Sequence, residues 1–279
     1  MNKEFDAFIK EYLKTIKDNE VKEAMSYALG NGKRFRPELV FAITKGFNIP
    51  EAKAYHAALA LEMIHSYSLI HDDLPCMDDD DFRRGKPSVH KAFAENIAVL
   101  AGDGLLTEAF KVVTLDEELS ADQKVKMIYQ LSDLAGVGGM IHGQMLDLRY
   151  ENAEVITREI LDEIEDYKTG CLFKCAFLLP MILAKDEEHV AFYEEIGLRI
   201  GRIFQIQDDL FDIIKSSEEI GKPSGSDEKN NKATALSLMS VEEIQAELEK
   251  LFNETFALID KQSFDTTYLK TIIHNIKER

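Results

Sequence analysis

The sequence predicts an all-α protein, a single domain over residues 1–279 with about ten helices around a central cavity. Apolar residues recur at three- and four-residue spacing along most of the chain, as amphipathic helices require. No alternating run of β-branched residues occurs, and no Asn-Gly or Asp-Gly pair joins two such runs. Only 6 prolines and 15 glycines stand among the 279 residues, which leaves room for long helices.

The helices are predicted in the following order. The first contains Phe5, Phe8, Ile9, Tyr12 and Leu13, which share one face. Further helical stretches run through about residues 51–74, 92–115, 121–149, 157–184, 188–219 and 241–261. Gly, Pro and Asn residues mark breaks at 30–32, 46–50, 75–87 and 221–231. The last break is long and polar enough to predict a loop that closes over a site.

The charge balance excludes one broad class of partner. Lys and Arg number 33 against 51 Asp and Glu, which gives a formal net charge of −18. A chain this acidic repels phosphate backbones, so we expect no general nucleic-acid binding.

Apolar stretches and cysteines indicate the compartment. The longest apolar run, 177–184, contains Pro180 and is far shorter than the ~20 residues that cross a bilayer. The acidic first residues do not resemble a signal peptide. Three cysteines cannot form a disulfide framework, and we expect Cys171 and Cys175 to be core residues. The sequence therefore predicts a cytoplasmic protein without a membrane span.

One acidic cluster lies on a predicted helix face. Gln205, Asp208, Asp209 and Asp212 stand at i, i+3, i+4 and i+7 among apolar neighbours. Like charges at this spacing destabilise a bare helix, so a bound cation should compensate them. Carboxylate oxygens suit Mg²⁺, which shares its coordination shell with substrate phosphates.

A second acidic cluster begins with Asp72 and Asp73, where the sequence Ile70–Leu74 repeats in outline at Ile206–Leu210. Two helices with such ends can present their acids to one shared cavity. Pro75 breaks the helix after Asp73 and would let Asp78 return toward the same ion. Arginines follow at 83 and 84, so a diphosphate between the acids and the arginines would explain both.

A basic element precedes these clusters. Glycines at positions 30 and 32 permit close approach, and Lys33, Arg34 and Arg36 follow directly. Pro37 would begin a helix whose N-terminus favours anions. In a chain of this net charge, the cluster of bases predicts a phosphate site.

Between about residues 30 and 235, a series of motifs resembles, in order, those of the trans-isoprenyl diphosphate synthases (the polyprenyl synthetase family). The motifs are Gly32-Lys33-Arg34-Phe35-Arg36-Pro37, Tyr67, Leu69 to Asp78 with Arg83-Arg84-Gly85, Gly143-Gln144, Lys168-Thr169-Gly170, and Phe204 to Asp212. The sequence looks most similar to bacterial farnesyl diphosphate synthases, whose first aspartate motif carries the same two-residue expansion. The resemblance implies the isoprenoid-synthase fold and a homodimer.

The resemblance also implies a role for each matching residue. Metal ligands for about three Mg²⁺ ions would be Asp72, Asp73, Asp78, Asp208, Asp209 and Asp212. Arg83, Lys168, Lys222 and Lys232 would contact the allylic diphosphate, and Lys33, Arg36, His65 and Arg84 that of isopentenyl diphosphate. Thr169 and Gln205 would lie beside the developing carbocation, and Tyr67 with Ser68 would limit chain length. The residues closest to the chemistry would be Asp72, Asp78, Lys168, Thr169, Gln205 and Asp208.

The predicted function is a Mg²⁺-dependent head-to-tail prenyltransferase that condenses isopentenyl diphosphate with dimethylallyl or geranyl diphosphate to farnesyl diphosphate. Alternatives are a geranyl or geranylgeranyl diphosphate synthase and a non-catalytic subunit of a heteromeric synthase. His71 beside Asp72 raises a metal phosphohydrolase as a rival, although such a site needs more histidines. Terpene cyclases are disfavoured because the aspartate motif is duplicated. The stretch 92–115, with Ala98, Leu100, Ala101, Leu105, Leu106 and Phe110, is either a dimer seam or a core helix.

Overall fold

The computed structural model describes residues 2–30, 32–151, 153, 155–214 and 234–278, and most of them are helical. The helices are α1 (Lys3–Lys14), α2 (Glu20–Leu29), α3 (Phe35–Gly46), α4 (Tyr55–Asp72), α5 (Val89–Ala92), α6 (Glu95–Thr114), α7 (Ala121–Ala135), α8 (Met140–Tyr150), α9 (Arg158–Ile164), α10 (Cys171–Ala184), α11 (Val190–Ile214), α12 (Val241–Ile259) and α13 (Thr267–Lys277). Short 3₁₀ turns lie at Glu51–Ala54 and Ala235–Ser237, and a π-helical turn spans Glu165–Gly170. The all-α prediction is confirmed.

A small hairpin follows the first acidic cluster. Strand β1 (Phe82–Arg83) pairs antiparallel with β2 (Lys86–Pro87), and Gly85 between them has a φ of 73°. Within the described ranges this is the only sheet, and it lies inside the break predicted at 75–87. The hairpin places Arg83 and Arg84 after the end of α4.

Local sequence explains where the helices begin and end. Ser120 and Ser240 form capping boxes with Gln123 and Glu243, so α7 and α12 start where their backbone N–H groups are satisfied. The single helix predicted over 121–149 is wrong, because α7 and α8 are separate helices. A Cβ at Gly139 would lie 2.2 Å from the Leu134 carbonyl oxygen, so this sharp connection requires glycine.

Helix α4 is the central element of the bundle. It packs against α3, α6 and α10, and its residues from Ala57 to Ile64 are all buried. One hydrophobic core runs through all of these helices and continues to α12 and α13. Because α4 ends at Asp72, the core holds the first acidic cluster at a defined position.

One continuous helical stretch, Arg158–Ala184, is long and apolar enough to span a membrane by length and composition. In the bundle, 67% of its most apolar window is buried, as is usual for a core helix. Cys171 and Cys175 lie in this stretch as buried free thiols, which confirms their prediction as core residues.

Candidate active site

A cavity of about 950 Å³ opens between α3, α4, α6, α8, α11 and the π-helical turn. Its charged lining residues are Lys33, Arg34, Arg36, Glu62, Asp72, Arg83, Arg84, Asp103, Lys168, Asp208 and Asp212. Its apolar lining residues include Leu69, Met77, Leu106, Met140, Ile141, Met145, Leu148, Leu172, Phe204 and Phe211. The cavity therefore combines a charged region with a wall suited to a hydrocarbon chain.

Three predicted metal ligands line this cavity together. Asp72 comes from the last turn of α4, and Asp208 and Asp212 come from successive turns of α11. The two helices thus present their carboxylates to one shared space, as the repeated motif predicts. Oxygen ligands on opposite walls can hold Mg²⁺ between them.

The remaining predicted metal ligands are not brought to the cavity wall. Asp73 is 2% exposed and accepts hydrogen bonds from the Arg83 guanidinium, with Nε at 2.8 Å. Burial raises the pKa of Asp73 to about 6, although Arg83 opposes the shift. Asp209 accepts from Gln205 Nε2 and from the Ala235 backbone N–H, each at 2.9 Å.

Asp78 returns toward Asp72 through the backbone. Its N–H donates to the Asp72 carbonyl oxygen over 2.9 Å, and the chain turns again at Asp79, whose φ is 50°. Pro75 therefore has the predicted effect, because the helix ends before it and the segment folds back. The Asp78 side chain nevertheless is not among the cavity-lining groups of the described chain.

Lys168 lies between two acids. Its ammonium group forms an ion pair with Asp147 and lies 4.0 Å from Asp72 Oδ2. Burial opposes the charge of Lys168, but Asp72 and Asp147 together raise its pKa above the usual value. Gln144 Nε2 donates to Asp72 Oδ1 over 2.5 Å. Lys168 is therefore held as a cation at the cavity wall.

Sequence reasoning missed Asp147. A signal was present, because Gln144 and Asp147 stand three residues apart and share one face of α8. Gly143 brings that face close to the π-helical turn, since a Cβ there would lie 2.0 Å from the Lys168 backbone nitrogen. The same turn contains Glu165, which is 1% exposed. Burial raises its pKa to about 8, although Arg202 Nε lies 3.8 Å from Oε2.

Basic residues surround His65 at one side of the cavity. The Nε2 atom of His65 lies 3.4 Å from an Arg36 nitrogen and 3.4 Å from an Arg84 nitrogen. Burial and both guanidiniums lower the pKa of His65 well below 6.5, so the neutral ring accepts from the arginines. Arg36 also lies over the Phe173 ring, 4.4 Å from its centroid. Lys33 is exposed at the edge of this group.

Two further predicted pairs line the cavity. The Thr169 hydroxyl donates to Gln205 Oε1 over 2.9 Å, which joins the π-helical turn to α11. On α4, Tyr67 is 6% exposed and its hydroxyl has no hydrogen-bond partner among the described residues. The Ser68 hydroxyl donates to the His65 carbonyl oxygen over 2.9 Å.

His71 also lines the cavity, but its ring is engaged with α6 and Tyr67. Its Nε2 atom lies 3.1 Å from the Val99 carbonyl oxygen on α6, and its ring meets Tyr67 edge-on at 5.8 Å. Gly102 makes this possible, since a Cβ there would lie 2.1 Å from Nε2. This packing disfavours the phosphohydrolase alternative. The predicted ligands Lys222 and Lys232 lie outside the described residues.

Comparison with known proteins defines the class. Residues 18–273 match the polyprenyl synthetase family model, and the chain belongs to this family. It is 42% identical over 265 residues to farnesyl diphosphate synthase of Bacillus subtilis, covering 94% of this chain and 89% of that protein. It is 39% identical over 238 residues to the chloroplastic geranylgeranyl pyrophosphate synthase of Catharanthus roseus, covering 84% and 67%.

A solved structure supports the same assignment. The geranyltransferase of Helicobacter pylori, complexed with magnesium and isoprenyl diphosphate, superimposes with a TM-score of 0.88 at 29% identity. The match covers 99% of this chain and 96% of that one. The predicted family and fold are therefore confirmed.

Proposed function

We propose that this chain condenses isopentenyl diphosphate with dimethylallyl or geranyl diphosphate to give farnesyl diphosphate and inorganic diphosphate. The observation that carries the proposal is that Asp72 from α4 and Asp208 and Asp212 from α11 line one cavity, together with arginines and apolar residues. Acids that share a space with guanidiniums and a hydrocarbon surface fit a prenyl diphosphate held through a metal.

The donor set fits Mg²⁺. Asp72, Asp208 and Asp212 offer only hard oxygen ligands, and the lining contains no cysteine within the described part of the chain. Bound Mg²⁺ would stabilise the negative charge on the departing diphosphate. We propose about three ions, with Asp73, Asp78 and Asp209 as further ligands once Arg83 and Gln205 turn to the substrate.

The chain's own residues would do the rest of the chemistry. Lys168 and Arg83 would hold the diphosphate as its C–O bond breaks and charge develops. The hydroxyl of Thr169 and the amide of Gln205, which are hydrogen-bonded to each other in the cavity wall, would place their dipoles beside the allylic carbon. The apolar wall would exclude water from the carbocation, which the isopentenyl double bond then attacks. The proton lost in the last step would pass to the departing diphosphate.

We also propose a homodimer that covers the outer face of α6. Ala98, Ala101 and Leu105 are fully buried within the protomer, so this part of the predicted seam belongs to the core. Val99 and Leu100 on the same helix are 40% and 50% exposed. Exposed apolar side chains that are adjacent on a surface favour association. The three free cysteines support a reducing, cytoplasmic location.

The C15 product is proposed because the Tyr67 ring lies in the cavity wall before Asp72. A C20 product is the second candidate, since one of the relatives above is a geranylgeranyl pyrophosphate synthase.

One assay tests these proposals. Purified chain is incubated with labelled isopentenyl diphosphate and each allylic starter, with Mg²⁺ or with a chelator, and the products are separated by chain length. Mg²⁺-dependent formation of C15 product by the chain alone supports the proposal. A lack of turnover without a second subunit would favour the non-catalytic alternative, and dominant C20 product would favour the second candidate.

A further inference from the structure

A buried ion pair lies behind the basic residues that surround His65. Arg34 Nη1 donates to Glu62 Oε1 over 2.7 Å, and the two side chains are 4% and 2% exposed. Glu62 lies outside the family motifs named above, and Arg34 has so far been considered only as one of a cluster of bases. Both residues nevertheless line the cavity.

Arg34 is fixed from several directions. Its Nη2 atom donates to the Leu29 carbonyl oxygen at the end of α2, and its Nε lies 3.4 Å from Asp6 Oδ1 on α1. Its backbone is left-handed, with φ 58° and ψ 27°, a conformation that non-glycine residues rarely adopt. Such strain persists only where the surroundings hold it.

The left-handed backbone at Arg34 sets the directions of Lys33 and Arg36 relative to the cavity. Helix α3 begins at Phe35, directly after Arg34, and the chain direction changes there. Lys33 is left exposed at the cavity edge, while Arg36 turns inward to His65. Gly32 provides the space for the pair, because a Cβ would lie 2.5 Å from Glu62 Oε1.

Glu62 supplies negative charge to the arginines that face the cavity. It stands one helical turn before His65 on α4. Burial lowers the pKa of Arg36 to about 10 and also lowers that of Arg84, and Glu62 is the strongest opposing charge in both cases. Its carboxylate therefore offsets part of the cost of burying these two guanidiniums.

We propose that Arg34 and Glu62 are positioning residues for the isopentenyl diphosphate subsite, acting through Lys33, Arg36 and Arg84. This inference rests on the proposed function. Among the described residues, Lys168 pairs with Asp72 and Asp147 and not with Arg34 or Glu62, so we expect the pair to act mainly on one of the two substrates.

The test must separate positioning from folding. Replacing a buried ion pair by apolar residues of similar volume is often neutral or stabilising, whereas removing one partner is costly. We therefore choose the double variant R34M/E62L and the single variant E62Q. The control is R199M/E254L, which makes the same kind of replacement at a partly exposed Arg–Glu pair (2.6 Å) between α11 and α12 that does not line the cavity.

Melting curves and initial rates are measured with Mg²⁺, varying isopentenyl diphosphate and geranyl diphosphate in turn. We expect R34M/E62L to melt near the wild type and to raise KM for isopentenyl diphosphate about tenfold, since small misplacements of binding groups are costly. KM for geranyl diphosphate should stay unchanged, and the control should change neither KM. E62Q should raise the same KM if it is folded at the assay temperature.

The inference is overturned if a folded variant keeps the wild-type KM for isopentenyl diphosphate, or if both KM values rise together. It is also overturned if neither variant folds, because the pair then supports the bundle as a whole. Wild-type enzyme that transfers no prenyl group would instead contradict the proposed function.

Discussion

Replacing Tyr67 by alanine should lengthen the product. The ring lies in the cavity wall and is 6% exposed, and its helix position is five residues, or about 7.5 Å, before Asp72. A growing hydrocarbon chain whose diphosphate is held near Asp72 would meet this ring. Tyr67→Ala removes it, while Tyr67→Phe keeps the ring and removes only the hydroxyl.

The expected effect is large. Burying one more C5 unit is worth about 4 kcal/mol at about 0.8 kcal/mol per carbon, or roughly a thousandfold in the partition between products. We therefore expect Tyr67→Ala to make mostly C20 and longer chains. Tyr67→Phe should keep the wild-type product and gain about 1 kcal/mol of stability, because the buried hydroxyl has no hydrogen-bond partner within the described part of the chain.

The assay is chromatography of dephosphorylated products from labelled isopentenyl diphosphate with geranyl diphosphate as starter. Urea unfolding of the three proteins gives their free energies of unfolding. If Tyr67→Ala is folded and its product distribution matches that of Tyr67→Phe, the ring does not limit chain length and the reasoning is refuted.

Three further predictions follow from the site and its packing. Asp208→Asn should lower turnover by about two orders of magnitude or more at an unchanged melting temperature, and wild-type kinetics would exclude a metal-binding role. Burial raises the pKa of Glu165 from 4.5 to about 8, so the stability of the wild type should fall as pH rises from about 4.5 to 8. Glu165→Gln should lack this pH dependence, so in chelator at pH 8 its free energy of unfolding should exceed that of the wild type by on the order of 4 kcal/mol. If urea unfolding gives the two proteins the same pH dependence of stability, the assignment is contradicted. Gly102→Ala should lose about 1–3 kcal/mol against the His71 ring, whereas Gly104→Ala on the same helix meets only a flexible methionine at 3.0 Å and should be tolerated. Equal melting temperatures for these two variants would contradict the packing argument.

Periodicity and local breaks made most of the fold predictable. The stretches around 51–74, 92–115 and 241–261 correspond to α4, α6 and α12, because each is long, contains many apolar residues and is bounded by breaks. The division of 121–149 into two helices was not predicted. The need for glycine at position 139 comes from the close approach of the Leu134 carbonyl oxygen, which is known only from the folded structure. The π-helical turn at Glu165–Gly170 was also not predicted, because the apolar stripe over 157–184 reads as one helix.

The site was predictable as a set of motifs but not as a set of contacts. The repeated acids led correctly to Asp72 and Asp208 at one cavity. Asp73 pairs with Arg83 because of the hairpin at 82–87, and the sequence pattern predicted only a break in that region. The pair of Arg34 and Glu62 joins positions 28 residues apart, and such partners emerge only when helices pack.

The complete burial of the middle of α4 has a consequence for motion. Backbone amides in such a helix are expected to exchange with deuterium only when the whole bundle opens, whereas amides of the 82–87 hairpin should exchange through local openings. Asp72 thus lies at the end of a helix that should open rarely, and Arg83 and Arg84 lie in a segment that should open more readily. When substrates of different size bind, we expect the two arginines to change position while the Asp72 carboxylate stays in place.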